Sequence, residues 1–344
     1  MNIFFKGEVG DNQSWGISTI GNVDGFLSQG CNVTIECMNR YGDAPENVRE
    51  CIHRRQDSYD IYIRQGLAKH MHELSSVNKD LVRISLSCWD SDLVDEETRD
   101  IHNKFADGVF ALSSFTKKAF EDAGVTIPIH IGGQGFDETV FYPKEQSPSD
   151  DCFTFLTVAV AQGRKGTHAL INAFEKALGD VKDVKLIIKS NSWGKLDDYG
   201  TTCRNVHKLY AEHTRREMGD IYRNCDCFVL PTHGDSFALP GIEAMACGLP
   251  LVITDFGGPR DYCNHDTGYP IRYVLKDAGY LPGHQAEPSE EHLAELFYHI
   301  FTHQDEAKNK GENGAKRCKE YWTWKHDAIR NVQFLQQLIE KKRA

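Results

Sequence analysis

Short runs of apolar and β-branched residues alternate along the chain with stretches whose apolar residues recur at helical spacing. This alternation is typical of α/β proteins, in which helices connect the strands of parallel sheets. In the first part of the chain the pattern predicts strands at residues 2–6, 32–36, 60–63, 82–87, 108–111 and 127–131. It also predicts helices between them, for example at 17–29 and 116–123, and Gly30 is expected to cap the first of these.

A polar segment at residues 146–151 contains a proline, lacks periodicity and is predicted to be a linker. A second series of elements follows it. We expect strands at 153–159, 184–189, 227–230 and 250–254, and helices at 167–178, 215–224, 241–247 and from 290 onward. The predicted fold class is α/β, with two Rossmann-like domains whose parallel sheets face a central cleft in which a ligand would bind.

The chain of 344 residues is acidic, with a formal net charge of −11 at pH 7. This balance is unfavourable for a nucleic-acid-binding protein, which needs clustered Lys and Arg to meet phosphates. Residues 1–143 contain 13 Lys and Arg against 22 Asp and Glu, whereas residues 144–344 contain 26 against 28. The first part is therefore strongly acidic and the second is nearly neutral.

No apolar run approaches the roughly 18–20 residues that a membrane span requires. The first eight residues lack the basic, apolar and cleavage regions of a signal peptide and are predicted to form a strand. The 11 cysteines are scattered, and Cys88, Cys152 and Cys247 lie in runs of apolar or small residues, as reduced and buried thiols do. These observations predict a reducing, cytoplasmic compartment.

The stretch from His233 to Pro250 carries the strongest chemical signal, because it follows a predicted strand and runs directly into a predicted helix. Unpaired backbone N–H groups at a helix N-terminus favour the binding of an anion such as phosphate. Here these groups belong to Ser236, Phe237, Ala238 and Leu239.

Asp235 and Glu243 flank this turn, the first just before the predicted helix and the second about one turn inside it. Carboxylates repel phosphate, so their natural partners are hydroxyl groups, such as those of a sugar and a ribose on either side of a diphosphate. The alternative is that Asp235 caps the helix and that Glu243 is a solvated or capping carboxylate.

A cationic turn at residues 163–168 lies between the first strand and the first helix of the second domain. Its Arg164 and Lys165 can neutralise a diphosphate leaving group. Lys189, at the end of the next predicted strand, can supply a further cation. The alternative for each of these three residues is a surface charge close to a helix start.

These motifs resemble the C-terminal signature of the retaining glycosyltransferases of family 4, also called group 1, which have the GT-B architecture. The family pattern is Glu-Gly-Phe-Gly-Leu-Pro followed by Glu-Ala-Met-Ala-Cys-Gly-x-Pro, and Asp235, Ser236 and Ala238 depart from it. Further similarities are the Lys-Gly at 165–166, the Phe-Val-Leu-Pro at 228–231, the glycine pair at 257–258 and the segment 268–271. The resemblance covers most of the second domain.

The resemblance implies transfer of a hexose from a nucleoside-diphosphate sugar to an acceptor hydroxyl, with retention of configuration. It implies that Asp235 holds the donor hexose, that the turn binds sugar and phosphate, and that Glu243 binds the ribose. No metal or other cofactor is expected, because Arg164, Lys165 and the helix N-terminus take the role that Mg²⁺ has elsewhere. The family mechanism is front-face attack, in which the departing phosphate helps to deprotonate the acceptor.

Two residues of the first domain complete the candidate site. Gly16 follows the first strand at the position of the family's glycine-rich turn, which faces the donor sugar and the acceptor; a plain strand-to-helix turn is the alternative. Asp90 ends a predicted strand, at a position where relatives often carry a His or an acidic residue near the reaction centre. Asp90 and Asp235 are the two candidate catalytic residues. The alternative is that Asp90 caps a helix that begins near Glu96.

The resemblance also predicts the domain boundaries. Residues 135–143 are similar to the segment that closes the family's N-terminal domain. Residues 322–325 resemble the tryptophan-containing turn from which the last helix returns to that domain, and core aromatic packing is the alternative. We expect an N-terminal acceptor domain at 1–145, a C-terminal nucleotide-sugar donor domain at 146–324, and a final helix at 325–344.

Two other functions stay open. The departures at Asp235, Ser236 and Ala238 are compatible with a non-catalytic sugar-nucleotide or glycan-binding protein, and a GT-B sugar-nucleotide epimerase would share the fold. The expected partners of the transferase are a nucleotide sugar and a carbohydrate or other hydroxyl acceptor. Because the acidic part of the chain is the expected acceptor domain, anionic membranes should repel it, and its acceptor should be soluble and neutral or cationic.

Overall fold

The chain divides into two units, each with its own parallel sheet. Unit 1 comprises Met1–Asp137, Ala278–Gly283 and Tyr321–Ala344, and unit 2 comprises Glu138–Asp277 and His284–Glu320. The structure is a computed structural model and describes residues 1–10, 13–39, 43–144, 152–160, 163–191, 200–201 and 203–344. The expected linker at 146–151, and with it the expected boundary after residue 145, lies outside the described residues.

Among its described residues, unit 1 contains a six-stranded sheet with helices between the strands. The strands are β1 (Asn2–Gly7), β2 (Asn32–Cys37), β3 (Ile61–Leu67), β4 (Val82–Cys88), β5 (Gly108–Ala111) and β6 (Ile129–Ile131). The helices are α1 (Ser14–Ser28), α2 (Glu46–His53), a 3-10 helix (Ala68–Ser76), α3 (Glu96–Phe105) and α4 (Ser114–Asp122). All pairings are parallel, in the order β2-β1-β3-β4-β5-β6, so the carboxyl ends of the strands share one edge.

The strands and helices predicted for this part of the chain are confirmed, with shifts of a few residues at their ends. Gly30 follows α1 with a φ of +72° and ends the helix as predicted. The hydrophobic pattern does not predict α2, because only Val48 and Cys51 of its eight residues are buried. Val48 and Cys51 do have helical spacing, but two buried positions in a two-turn segment are too few to distinguish a helix from a loop.

Unit 2 contains a second sheet of the same kind. Its strands are β7 (Phe153–Val158), β8 (Val184–Ser190), β9 (Val206–Tyr210), β10 (Cys227–Leu230), β11 (Leu251–Thr254) and β12 (Gly268–Ile271), paired in parallel in the order β12-β11-β10-β7-β8-β9. Two further strands, β13 (Tyr273–Asp277) and β14 (His284–Pro288), form an antiparallel hairpin. The helices are α5 (Thr167–Leu178), α6 (Arg215–Arg223), α7 (Leu239–Ala246), α8 (Glu290–Thr302) and α9 (Gln304–Tyr321).

Aromatic side chains of β7, α5 and α8 form the centre of the core of unit 2. Phe155, Phe174 and Phe297 are fully buried and meet edge to face, with ring centroids 4.8 to 6.2 Å apart. The predicted strands and helices that carry these residues are confirmed. The pattern does not predict β9 or β13, and neither strand contains a buried residue that would give it an apolar alternation.

The last helix, α10 (Trp324–Arg343), belongs to unit 1 and packs against α1. Thr323 caps it by accepting a hydrogen bond from the His326 N–H at 3.2 Å. The Trp324 ring lies directly on Gly21 of α1, where an added Cβ would come within 2.1 Å of it. The tryptophan-containing turn at 322–325 therefore starts this helix and also contributes core packing.

Two features concern the expectation of a reducing, cytoplasmic compartment: the state of the cysteines and the apolar length of the helices. None of the 11 cysteines, all of which lie in the described ranges, forms a disulfide. Cys247 is buried as predicted, whereas Cys88, the last residue of β4, and Cys152, which immediately precedes β7, are only half-buried. Within the described ranges, no helix is both long enough and apolar enough to span a membrane.

We predict that Gly21→Ala destabilises unit 1, because the new methyl group would overlap the Trp324 ring. Overpacking of this kind costs about 1–3 kcal/mol in free energy of unfolding. Urea denaturation followed by tryptophan fluorescence measures this loss. Gly200→Ala is the control, since no atom of the described residues beyond its chain neighbours lies within 4 Å of the added Cβ. Equal midpoints for the two variants would contradict the packing of α10 on α1.

Candidate active site

The turn between β10 and α7 carries the main predicted motif, and every residue from 232 to 239 is buried. The glycine pair after β11 makes this burial possible. An added Cβ on Gly258 would lie 2.0 Å from the carbonyl oxygen of Ser236. The Gly258 N–H donates to the carbonyl of Asp235 at 2.8 Å. Only a residue without a side chain lets the two backbone segments approach this closely.

Ala238 immediately precedes α7 in the left-handed conformation, with a φ of +65°, and no other non-glycine residue in the described ranges has a positive φ. This conformation costs an L-residue about 1–2 kcal/mol. The Tyr262 hydroxyl donates toward the carbonyls of Phe237 and Ala238, at 2.9 and 3.1 Å, and so holds the turn in place. Ala238 occupies a position where the family pattern has glycine, which explains the strain.

The alternative role of Asp235 as the helix cap is wrong. Ala238 occupies the N-cap position of α7 and has no side-chain oxygen to offer. Asp235 lies three residues earlier, so its carboxylate is not used by the helix. As predicted, the turn leads directly into the helix, and Glu243 lies about one turn inside it.

The cationic turn packs against the residues that follow β10. Its first three residues form a 3-10 helix, Gly163–Lys165. Gly166 has a φ of +69°, and an added Cβ there would lie 1.9 Å from the carbonyl oxygen of Pro231. The His233 N–H donates to the carbonyl of Arg164 at 2.8 Å. This backbone contact brings both predicted cations to Asp235.

Asp235 forms the centre of an ion-pair cluster. Lys165 Nζ donates to Asp235 Oδ1 at 2.6 Å, and Arg164 Nη1 donates to the same oxygen at 3.1 Å. Burial by itself would raise the pKa of Asp235, but the charges of Lys165 and Arg164 outweigh burial and lower it below its usual range. Asp235 Oδ2 is buried and accepts no hydrogen bond from the residues that the structure describes. The carboxylate is thus ionised and has one unused oxygen.

Glu243 is 3% exposed and is therefore not the solvated carboxylate of the alternative interpretation. Arg215 Nη2 donates to Glu243 Oε1 at 2.5 Å, and the Tyr222 hydroxyl donates to Glu243 Oε2 at 3.2 Å. Burial and the neighbouring carboxylate raise the pKa of Tyr222 well above its usual range, so its hydroxyl keeps its proton. Both oxygens of Glu243 are held in fixed positions.

Lys189, near the end of β8, is 7% exposed, so it is not a surface charge. Burial lowers the pKa of Lys189, and the charge of Glu212 partly opposes this effect. Among the described residues, no hydrogen bond or ion pair joins Lys189 to Asp235 or Glu243. The structure therefore groups Arg164 and Lys165 with Asp235, and leaves Lys189 outside that cluster.

Gly16 lies in unit 1, in the first turn of α1 and not in a loop before the helix, because α1 begins at Ser14. An added Cβ on Gly16 would lie 2.2 Å from the carbonyl oxygen of Gly10. Position 16 therefore requires glycine for close backbone packing, whatever its role toward a ligand.

Asp90 also lies in unit 1, in a tight loop after β4. Trp89 Nε1 and Ser91 Oγ close this loop by donating to the carbonyl of Leu93, at 2.8 and 3.2 Å. The alternative role of Asp90 as a helix cap is wrong, because Asp95 caps α3 by accepting from the Thr98 N–H at 2.6 Å. Asp90 as a residue is half-buried.

Sequence reasoning missed two contacts that hold the site together. The hairpin strand β14 pairs with the turn, since the Ala286 N–H donates to the His233 carbonyl at 2.8 Å and His233 Nδ1 donates to the Ala286 carbonyl at 2.7 Å. The ion pair between Arg215 and Glu243 joins residues 28 positions apart. The Thr-x-x-Glu pattern that begins at Thr214 marks the start of α6, but nothing local to the sequence indicates the partner of Arg215.

Two Rossmann-like α/β units, one of them with paired cations and acidic residues around a strand-to-helix turn, define the class of GT-B glycosyltransferases. The chain belongs to the family of glycosyl transferases group 1, whose family model matches residues 141–317. The matched region contains the whole cluster around Asp235 and Glu243.

A curated relative and two solved structures are similar to this chain. The alpha-maltose-1-phosphate synthase of Mycolicibacterium smegmatis is 28% identical over 255 residues, which are 66% of this chain and 62% of that protein. The chain thus spans less than two thirds of this relative. In fold, it is similar to the sucrose-phosphate synthase of Thermosynechococcus elongatus (TM-score 0.73, 15% identity, 99% and 100% coverage). It is also similar to Anabaena HepE in complex with UDP-glucose (TM-score 0.68, 16% identity, 99% coverage of both chains).

We predict that Ala238→Gly stabilises the protein by about 1 kcal/mol, because glycine adopts the left-handed conformation without strain. Ala177→Gly is the matched control. It makes the same chemical change inside α5, where glycine should destabilise the helix by about 1 kcal/mol. Differential scanning calorimetry should show a higher melting temperature for Ala238→Gly and a lower one for Ala177→Gly than for the wild type. A loss of stability in Ala238→Gly would contradict the strain at this turn.

Proposed function

We propose that this glycosyltransferase transfers a hexose from a nucleoside-diphosphate sugar to an acceptor hydroxyl, with retention of configuration. The observation that carries the proposal is the cluster in which Arg164 and Lys165 meet Asp235 at 3.1 and 2.6 Å, next to the turn that leads into α7. Two cations beside backbone N–H groups at a helix start suit a diphosphate, and a carboxylate with an unused oxygen suits a sugar hydroxyl.

In this proposal, the cations stabilise the leaving group. When the bond between the hexose and the diphosphate breaks, negative charge grows on the departing phosphate oxygen. Arg164 and Lys165 are partly buried, so their charges act there with little screening. We assign the neutralisation of this charge to these two side chains and to the start of α7, with no metal ion in the reaction. Lys189 adds positive charge from β8.

The two acidic residues take the neutral parts of the donor. Asp235 is ionised, and Oδ2 can accept a hydrogen bond from a hydroxyl of the hexose. Glu243 lies one turn farther on and accepts from the hydroxyls of the ribose. The backbone between them, at Ser236, Phe237, Ala238 and Leu239, donates to sugar and phosphate. A carboxylate on either side of the diphosphate site favours a ligand that is neutral at both ends and anionic in the middle.

For the first unit, we propose that Asp90 and Gly16 lie close to the acceptor and the transferred sugar. No side chain of the described cluster is assigned as a covalent nucleophile. The acceptor oxygen attacks the anomeric carbon on the face from which the phosphate leaves, and its proton passes to the departing phosphate. This route retains configuration without a glycosyl-enzyme intermediate. UDP-glucose, which HepE binds, is the first donor to test.

Binding of the nucleotide is the first test. We expect UDP, GDP or another nucleoside diphosphate to raise the melting temperature, because a ligand that binds only the folded state stabilises it. Lys165→Met should weaken binding of the diphosphate about tenfold, through loss of a charge-assisted hydrogen bond, and should leave binding of the free nucleoside unchanged. Lys176→Met removes an exposed lysine of α5 and is the control. If no nucleoside diphosphate shifts the melting temperature at millimolar concentration, the donor site is wrongly assigned.

Turnover distinguishes the transferase from its alternatives. We expect slow hydrolysis of the preferred donor, abolished in Glu243→Ala, and a glycoside product with the anomeric configuration of the donor, as read by NMR. Because charge neutralisation is assigned to side chains, EDTA should leave the rate unchanged. Tight binding without turnover on any acceptor would identify a binding protein. Release of a sugar nucleotide with altered stereochemistry would identify an epimerase.

A further inference from the structure

Glu243 is held by two donors that belong to the same helix. Arg215 is the first residue of α6 and Tyr222 lies two turns later, and each donates to a different oxygen of the Glu243 carboxylate. The carboxylate is 3% exposed, so its orientation depends on these partners and not on water. The plane of the carboxylate is therefore set by α6, although Glu243 itself lies on α7.

The position of Arg215 is fixed by its own surroundings. Thr214 caps α6 in a reciprocal arrangement with Glu217, with hydrogen bonds of 3.3 and 2.8 Å, which sets where the helix begins. The guanidinium group lies over the ring of Phe141, with Cζ 4.6 Å from the ring centroid. Phe141 in turn meets the Tyr222 ring at 5.8 Å, so the two donors to Glu243 pack on one aromatic side chain.

The arrangement leaves acceptor capacity on Glu243. A carboxylate has about four lone-pair positions, and the two described donors occupy two of them. The remaining positions, one on each oxygen, can accept from a pair of adjacent hydroxyl groups. Their directions are determined by the donors already in place, because each oxygen can accept a second hydrogen bond only away from the first.

We propose that Arg215 is a positioning residue for ribose recognition. It orients the Glu243 carboxylate so that the unused lone pairs meet the 2′- and 3′-hydroxyl groups of the donor nucleotide. The inference rests on the proposed function, which makes Glu243 the ribose ligand. Removal of Arg215 should then impair recognition of the ribose hydroxyls and leave recognition of the base and the diphosphate intact.

The test compares a nucleoside diphosphate with its 2′-deoxy analogue by isothermal titration calorimetry. The probe is the nucleoside diphosphate that raises the melting temperature most. The wild type should bind the ribonucleotide roughly tenfold or more tightly than the deoxy analogue, since a hydrogen bond to a charged group is lost. In Arg215→Met, which keeps an aliphatic side chain over Phe141, this ratio should fall toward one, with the loss confined to the ribonucleotide.

Two further variants control for general effects on α6. Arg216→Met removes an exposed positive charge from the next position of the same helix and should keep the wild-type ratio. Arg215→Lys retains a charged donor and should restore part of the discrimination. If Arg215→Met does not fold, Arg215→Lys and Tyr222→Phe carry the test, and each should reduce the ratio below that of the wild type.

The outcomes separate this inference from the proposed function. If Arg215→Met keeps the wild-type preference for the ribonucleotide over the deoxy analogue and only its melting temperature falls, the ion pair is structural. That result would overturn the inference. Equal weakening of both nucleotides would also overturn it, because Arg215 would then act on the diphosphate or the base. If the wild-type protein binds no nucleoside diphosphate, the proposed function itself fails. If the wild type binds both nucleotides equally, Glu243 does not recognise the 2′-hydroxyl and the inference is overturned.

Discussion

The candidate site depends on the pairing of one buried carboxylate, Asp235, with two cations. An isolated charge in the interior costs several kcal/mol, so a carboxylate that is 7% exposed remains ionised only beside groups that offset this cost. Arg164 and Lys165 reach it because Gly166 lets the cationic turn approach Pro231. The glycine pair after β11 packs on the backbone of Asp235 and Ser236. Both sets of glycines allow the close backbone packing around Asp235 and its two cations.

The same pairing changes how a diphosphate would bind. Without a ligand, the positive charges already have a partner in Asp235, so an arriving phosphate competes with a carboxylate for them. Binding is then an exchange of ion pairs and not the filling of a bare cationic pocket. Such an exchange gains less electrostatic energy than contact with unpaired cations would. It therefore favours a ligand that also offers hydroxyl groups to the Asp235 carboxylate. A polyphosphate without a sugar satisfies only half of this requirement.

The sequence predicts those parts of the fold whose signal is local. The strands and helices around Phe155 and Phe174 are confirmed because a buried core element must be apolar along its length. The turn before α7 is similarly predictable, since its residues are contiguous. The pairing of Arg215 with Glu243 and of His233 with Ala286 cannot be predicted in this way, because each joins distant segments through the tertiary fold. The β13 strand escapes prediction because it has no buried face.

The placement of α10 has a consequence for the order of folding. Phe334 of this helix meets Phe110 of β5 at 5.7 Å, Leu338 lies against Gly108, and Asp327 accepts a hydrogen bond from the Gly133 N–H at 2.8 Å. Unit 1 therefore draws part of its core from residues that a ribosome makes only after the whole of unit 2. The first unit to be synthesised is the last that can close its core, so the nascent chain exposes the apolar surface of α1 and β5 until α10 emerges.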